Sequence, residues 1–175
     1  LDDGKVRSVI WTNGGMNLRD SNNSLTRGQW HHVVRTWNGS SMSLYIDGVL
    51  DFSADTTGTS LVDGSHPVNL GLEPHYGGYF DGSLDEFRFY DRPLYASEVS
   101  SLHSFESTDR YTEGLVAHHR FDGDYSDSTF YGNSVSETGN LSWSEDRYGL
   151  TPRALNLDGG YAVLGNPEII NNLSQ

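Results

Sequence analysis

The chain has 175 residues, with 24 acidic and 11 basic side chains and a net charge of −13. It is 35% hydrophobic and 12% aromatic, too rich in rings for a disordered chain, so it must fold around a thin core of large side chains. The charge disfavours nucleic-acid binding, no apolar run is long enough for a membrane span, and the absence of cysteine removes disulfides, thiol chemistry and cysteine-ligated zinc.

Short strands are expected along most of the chain. The first candidates are residues 6–11 and 29–37. Met42, Leu44 and Ile46 alternate with Ser43, Tyr45 and Asp47, the period of a half-buried strand. Asp47-Gly48 follows, and an Asp-Gly pair between apolar runs predicts a hairpin over 41–53. Residues 67–72 and 83–90 come next. In the latter, Leu84 and Phe87 are three apart while Phe87 and Phe89 are two apart, which predicts a bulge near Asp85-Glu86. One helix is predicted, over 96–104. Leu94, Val99 and Leu102 form its apolar face, and Ser97 is its candidate cap. Residues 105–114 are polar and charged and read as a linker. Further strands are expected at 115–121, 153–157 and 160–164. The chain begins with Leu1 and runs out after 165–175 without a stop signal, as a piece of a longer polypeptide would. Many short strands with regular turn signals predict an all-β sandwich.

Catalytic motifs are missing. There is no nucleophile elbow, no zinc-protease helix and no phosphate loop. The carboxylate cluster of jelly-roll glucanases is also absent, which argues against an enzyme. His31-His32 and His118-His119 lie in expected strands, where neighbours point to opposite faces, so neither pair can chelate one metal. The loop 121–133 carries Asp122, Asp124 and Asp127 among Gly and Ser, a composition that suits calcium. The same composition also suits a turn whose side chains cap their own backbone. The aromatic loop 73–80, with His75, Tyr76 and Tyr79, suits a platform for sugar rings, or rings folded back onto the sandwich edge.

These residues carry a resemblance. Gly28-Gln29-Trp30-His31-His32-Val33-Val34 precedes Ser43-Leu44-Tyr45-Ile46-Asp47-Gly48. Leu70-Gly71, the run from Phe80-Asp81-Gly82 to Arg92-Pro93-Leu94, and Glu98-Val99 follow. In that order they resemble the C-terminal portion of laminin G-like domains, of the concanavalin A-like lectin/glucanase superfamily and the bacterial secreted type, over about residues 5–104. Leu115 to Gly123, Asp127-Ser128, Gly132-Asn133 and Ala154 to Tyr161 resemble the opening of a second such domain.

The resemblance implies a two-sheet antiparallel jelly roll, all-β with one short helix. It implies 1–104 as the C-terminal part of one domain, 105–114 as linker and 115–175 as the N-terminal part of the next, each incomplete. Strand 115–121 could then pair with 83–90 and close the two parts into one circularly permuted sandwich, because each part alone would leave open edges in water. The resemblance also implies a structural calcium ion, held by Asp122, Asp127 and nearby Asp124 together with Asp85 and Glu86. The expected role is a non-catalytic binding or adhesion module of a secreted, tandem-repeat protein at the cell surface or outside the cell. Its expected partners are carbohydrate, an extracellular protein, or neighbouring domains of the same polypeptide. The alternatives are a structural spacer in a tandem-repeat adhesin and, behind it, a polysaccharide-active enzyme.

Overall fold

The computed structural model describes residues 3–62, 68–73, 77–104 and 112–165. In chain order they form β1 (Lys5–Thr12), β2 (Gly15–Ser24), β3 (Val33–Trp37), β4 (Ser41–Ile46), β5 (Val49–Asp55), β6 (Val68–Leu70), β7 (Leu72–Glu73), β8 (Gly78–Tyr79), β9 (Gly82–Leu84) and β10 (Phe87–Tyr90). The helix α1 (Ala96–Ser104) follows, and then β11 (Leu115–His119), β12 (Ser134–Thr138), β13 (Leu141–Ser144), β14 (Ala154–Leu157) and β15 (Tyr161–Gly165). Every strand pairing among the described residues is antiparallel. The protein is thus all-β with one short helix, as the sequence predicts. Its chain folds as two compact units, the first holding β1–β5 and α1, the second β6–β15.

In the first unit, β3, β4 and β5 form one sheet and β1 pairs with β2. The β4–β5 turn is the Asp47-Gly48 pair, with φ of 51° and 77°, the left-handed pair that a tight hairpin turn needs. Met42, Leu44, Phe52 and Ile10 are buried together as the core, flanked by Val6, Trp37, Ile46, Ala54 and Leu61. Burying each large side chain contributes about 1.5–3 kcal/mol. The tip of the β1–β2 hairpin presses on the loop after β5, where a side chain at Gly14 would lie 2.5 Å from the Gly58 nitrogen. Only a glycine fits there. The expected strand 29–37 begins at Val33, because Asp47 captures the two residues before it. Its carboxylate accepts from the His31 ring at 2.9 Å and from the His32 backbone N–H at 3.0 Å.

The helix spans the residues the sequence predicts and buries Val99 and Leu102. Its cap differs from expectation. Ser97 lies inside the first turn, and Glu98 instead reaches back to accept the Tyr95 N–H at 2.8 Å. Arg92 clamps the same carboxylate with two nitrogens at 2.9 and 2.7 Å. This is the reciprocal half of a capping box.

The second unit takes strands from both sides of the helix. β10 pairs with β11, matching Phe87 with His119 and Phe89 with Ala117. β9 pairs with β14, and β6 with β15. The stretch 83–90, which the spacing predicts as one bulged strand, is broken at Asp85-Glu86. Glu86 has φ of 54°, and this left-handed kink sends β9 and β10 into different ladders. Residues 67–72 are likewise split, at Gly71 (φ 92°), where a Cβ would fall 2.7 Å from Leu157 Cδ1. The core contains Leu70, Ala117, Phe121, Leu155, Leu157, Ala162 and Leu164, all buried.

Candidate functional site

The acidic loop follows β11. Asp127 stands at its centre, and both its oxygens are filled by donors. Oδ1 accepts the backbone N–H of His118 at 3.0 Å and of Thr129 at 2.9 Å. Oδ2 accepts the Thr129 hydroxyl at 2.8 Å, the Asn133 N–H at 2.8 Å and the Asn133 side-chain amide at 2.6 Å. Burial alone would raise its pKa, but the convergent N–H groups outweigh burial and hold it at about 2. Asp127 is therefore a staple that ties the loop to β11. Its neighbour Asp124 accepts from the N–H of Ser126 at 2.8 Å and from the Ser126 hydroxyl. That hydroxyl is the leading cause of its lowered pKa. Asp122 is half-exposed and faces Arg153 at 3.7 Å.

Asp85 and Glu86, adjacent in the chain, have opposite surroundings. The Asp85 side chain is only 8% exposed and takes one bond from Arg147 at 3.2 Å. Burial and the neighbouring Glu86 charge push its pKa up to about 7, beyond what the single guanidinium offsets. Burial would also raise Glu86, but the ring of His118 at 2.7 Å and Arg88 at 2.6 Å hold it below the usual carboxylate range. His118 and His119 are both buried and point to different partners, Glu86 and the Tyr125 carbonyl respectively. This is the strand geometry the sequence implies for adjacent residues.

The acids expected to share calcium thus each have other partners. Asp127 spends its lone pairs on five donors, Asp85 and Glu86 face guanidinium and imidazole groups, and Asp122 faces Arg153. Calcium needs six to eight oxygens around one point. Among the described residues, no three His, Asp or Glu side chains gather closely enough to hold a metal ion. This arrangement does not fit calcium. Melting curves with calcium and with chelator are expected to superimpose, and a chelator-dependent fall in Tm would show that the acids rearrange around an ion.

The aromatic loop gives a different result. β7 and β8 form a small ribbon, with Leu72 opposite Tyr79 and Glu73 opposite Gly78. An open hollow of about 340 Å³ lies against it, lined by Gly71, Leu72, Glu73, Gly78, Tyr79 and Phe80. Tyr79 and Phe80 are 55% and 48% exposed, so neither residue is part of the core. The Phe80 N–H donates to the Gly71 carbonyl at 2.9 Å, which fixes the ring-bearing backbone against the floor of the hollow. His75 and Tyr76, the other two expected contacts, lie outside the described residues. Phe80 and the Gly71-Leu72 floor were not among the expected contacts. The alternation that would place Phe80 is lost in a ribbon of two-residue strands.

The antiparallel all-β fold with one short helix defines a class, the β-sandwich of jelly-roll type. Residues 1–100 match the laminin G-like family model of the concanavalin A-like lectin/glucanases superfamily, and the chain belongs to that family. Two solved structures are similar to it. One is an S-layer domain-containing protein from Clostridium thermocellum ATCC 27405, 29% identical over 57% of this chain and 52% of that one, with a TM-score of 0.36. The other is a candidate carbohydrate binding protein from Bacteroides ovatus ATCC 8483, 16% identical over 86% of this chain and 40% of that one, with a TM-score of 0.52. The chain spans about half of the first and two-fifths of the second. The second likeness speaks for the fold alone. A comparison with curated proteins gave no match. No helix among the described residues is long and apolar enough to cross a membrane.

Proposed function

We propose that this chain is a non-catalytic carbohydrate-binding module of a larger extracellular or cell-surface protein, and that the β7–β8 hollow is its sugar site. The carrying observation is the exposed Tyr79–Phe80 pair beside a floor of glycine and leucine. The flat apolar face of a pyranose stacks on such rings, and a few polar groups fix its orientation. Retaining hydrolysis needs two carboxylates about 5–5.5 Å apart. Among the described lining residues there is one, Glu73. The split pair Asp85 and Glu86 would suit acid–base work, but Asp85 is buried against Arg147 and lines no part of the hollow. Family membership and the candidate carbohydrate binding protein among the similar structures support the same reading. The cross-pairing of β9 and β10 with strands after the helix is the pairing expected where the segments 1–104 and 115–175 close together, and it supports that arrangement over two separate incomplete domains.

A glycan array probed with the intact chain tests this. Binding is expected, and Tyr79→Ala should weaken it about tenfold, since an aromatic stacking contact is worth roughly 0.5–1.5 kcal/mol beyond area burial. An empty array, or unchanged affinity in the variant, would overturn the site and favour a spacer role.

A further inference from the structure

We infer that the outward face of the β1–β2 ribbon binds a second copy of this chain, the two ribbons packing face to face about a twofold axis that runs along the strands. The inference goes beyond the carbohydrate reading and does not depend on it.

The ribbon is patterned the wrong way round for a surface hairpin. Side chains alternate between its two faces. The face turned to the core of the first unit carries Ile10 with the polar Ser8 and Thr12, all three buried. The opposite face carries Val9, Trp11, Met16 and Leu18, and the last three are 53%, 49% and 43% exposed. The ladder sets Trp11 against Met16, Val9 against Leu18 and Arg7 against Asp20. Beside Trp11 the strip continues into Val62, which is 53% exposed and donates its N–H to the Trp11 carbonyl at 3.1 Å. A contiguous apolar strip of roughly a few hundred Å² marks an interaction surface.

Three observations select the occupant. The first is self-complementarity. A twofold axis along the ribbon lays β1 of one copy over β2 of the other at the same level, so each side chain meets the residue type of its own cross-strand neighbour. Indole then meets thioether, Val meets Leu and Arg meets Asp. Sulfur against an aromatic ring is favourable, and sheets stack in this way about 10 Å apart. The second is charge. Residues 5–24 carry Lys5, Arg7 and Arg19 against Asp20, a net of +2, whereas the chain carries −13. Two acidic chains meeting here bring their least acidic surfaces together, and the charge beyond is screened within about 8 Å at physiological salt. The third is area. A standard interface takes about 800 Å² from each partner. The strip supplies roughly half, which fits a reversible dimer with a Kd of about 10–100 µM, anchored by Trp11.

Sedimentation velocity of the intact chain from about 1 µM to about 1 mM covers the range over which such a dimer forms. Monomer is expected at the low end and dimer at the high end. The chain has two methionines, which locate the contact. Met16 is 49% exposed and Met42 2%, so peroxide should oxidise Met16 to the sulfoxide and spare Met42. Where dimer predominates, Met16 should oxidise about fivefold more slowly. Trp11→Ala should weaken association about thirtyfold and return Met16 to its monomer rate. Leu18→Asp, on the next rung, should do the same, and circular dichroism checks that both variants keep the fold. A monomer throughout the range would overturn the inference, and protection of Met16 by an oligosaccharide bound to that monomer would give the face to sugar instead. A dimer in which Met16 oxidises at its monomer rate, or one unaffected by both substitutions, would place the contact elsewhere and overturn it too. The sugar site is tested separately by Tyr79→Ala, so either reading can fail without the other.

Discussion

Asp127→Ala is expected to destabilise the second unit by about 3–5 kcal/mol, roughly 10 °C or more in Tm. The carboxylate accepts from five donors, among them the backbone N–H of buried His118 and the side-chain amide of buried Asn133. Alanine leaves all of them without this partner. Each hydrogen bond to a charged group contributes about 1.5–3 kcal/mol, and a buried donor left unmade costs about 1–3 kcal/mol, while water reaching the opened loop recovers part of the loss. Asp127→Asn should fall between, because one oxygen still accepts while the new amide group points donors at donors. Guanidinium unfolding followed by circular dichroism measures both. A loss under about 1 kcal/mol for alanine would show that the loop does not depend on this residue. The low pKa adds an acid limb. The stability that Asp127 supplies is fully present above its unfolded value of 3.8 and is lost as pH falls toward 2.

The second large effect has the opposite sign. Asp85 is raised from 3.8 when unfolded to about 7 when folded. Between those values the folded chain holds a proton that the unfolded chain has released, so the contribution of Asp85 to stability falls as pH rises from about 4 to about 7. Melting at pH 5 should therefore occur above melting at pH 8. Asp85→Asn mimics the protonated carboxyl, should raise Tm at pH 8, and should flatten the difference. Melting temperatures across pH 4–8 for both proteins decide this. An unaltered slope in the variant would assign the pH dependence to other groups. Asp127 and Glu86, both held below their ordinary values, do not compete in this window, since their losses begin at more acid pH.

Much of the fold is legible in the sequence wherever one face of an element is apolar. Leu94, Val99 and Leu102 define the helix, Asp47-Gly48 defines its hairpin, and Leu155, Leu157, Ala162 and Leu164 mark β14 and β15. The strands that escape notice are β2, the two-residue β8, β12 and β13. β2 reads Gly-Met-Asn-Leu-Arg-Asp-Ser-Asn-Asn-Ser, dominated by turn formers, and its Met16 and Leu18 face solvent. β12 is mostly Ser, Glu and Thr, and most of its side chains are exposed. Such strands are specified by their partners in the ladder, which a local pattern does not record.

The candidate sites divide in the same way. For Tyr79 the composition leaves two readings, a sugar platform or a ring folded back onto the sandwich edge, and its 55% exposure is what speaks against the second. The role of Asp127 is hidden. An Asp among Ser and Gly reads equally as a cation ligand or a backbone cap, and the choice depends on whether the His118 and Asn133 N–H groups reach it. The Asp85–Arg147 pair joins β9–β10 to the turn after β13, and nothing near either residue announces the other.

The break at Glu86 has a bearing on how the chain is made. β6, β9 and β10 leave the ribosome before any of their partners in these ladders exist, since residue 70 awaits residue 162, residue 84 awaits residue 155 and residue 87 awaits residue 119. Until then the nascent chain carries three short unpaired edges, two of which end in Leu70 and Leu84. Non-local ladders of this kind form late, and open edges invite pairing with other chains. Their brevity, three or four residues each, limits that hazard. The kink that divides one long strand into two thus keeps a sticky edge short during the interval before the second half of the unit is synthesised.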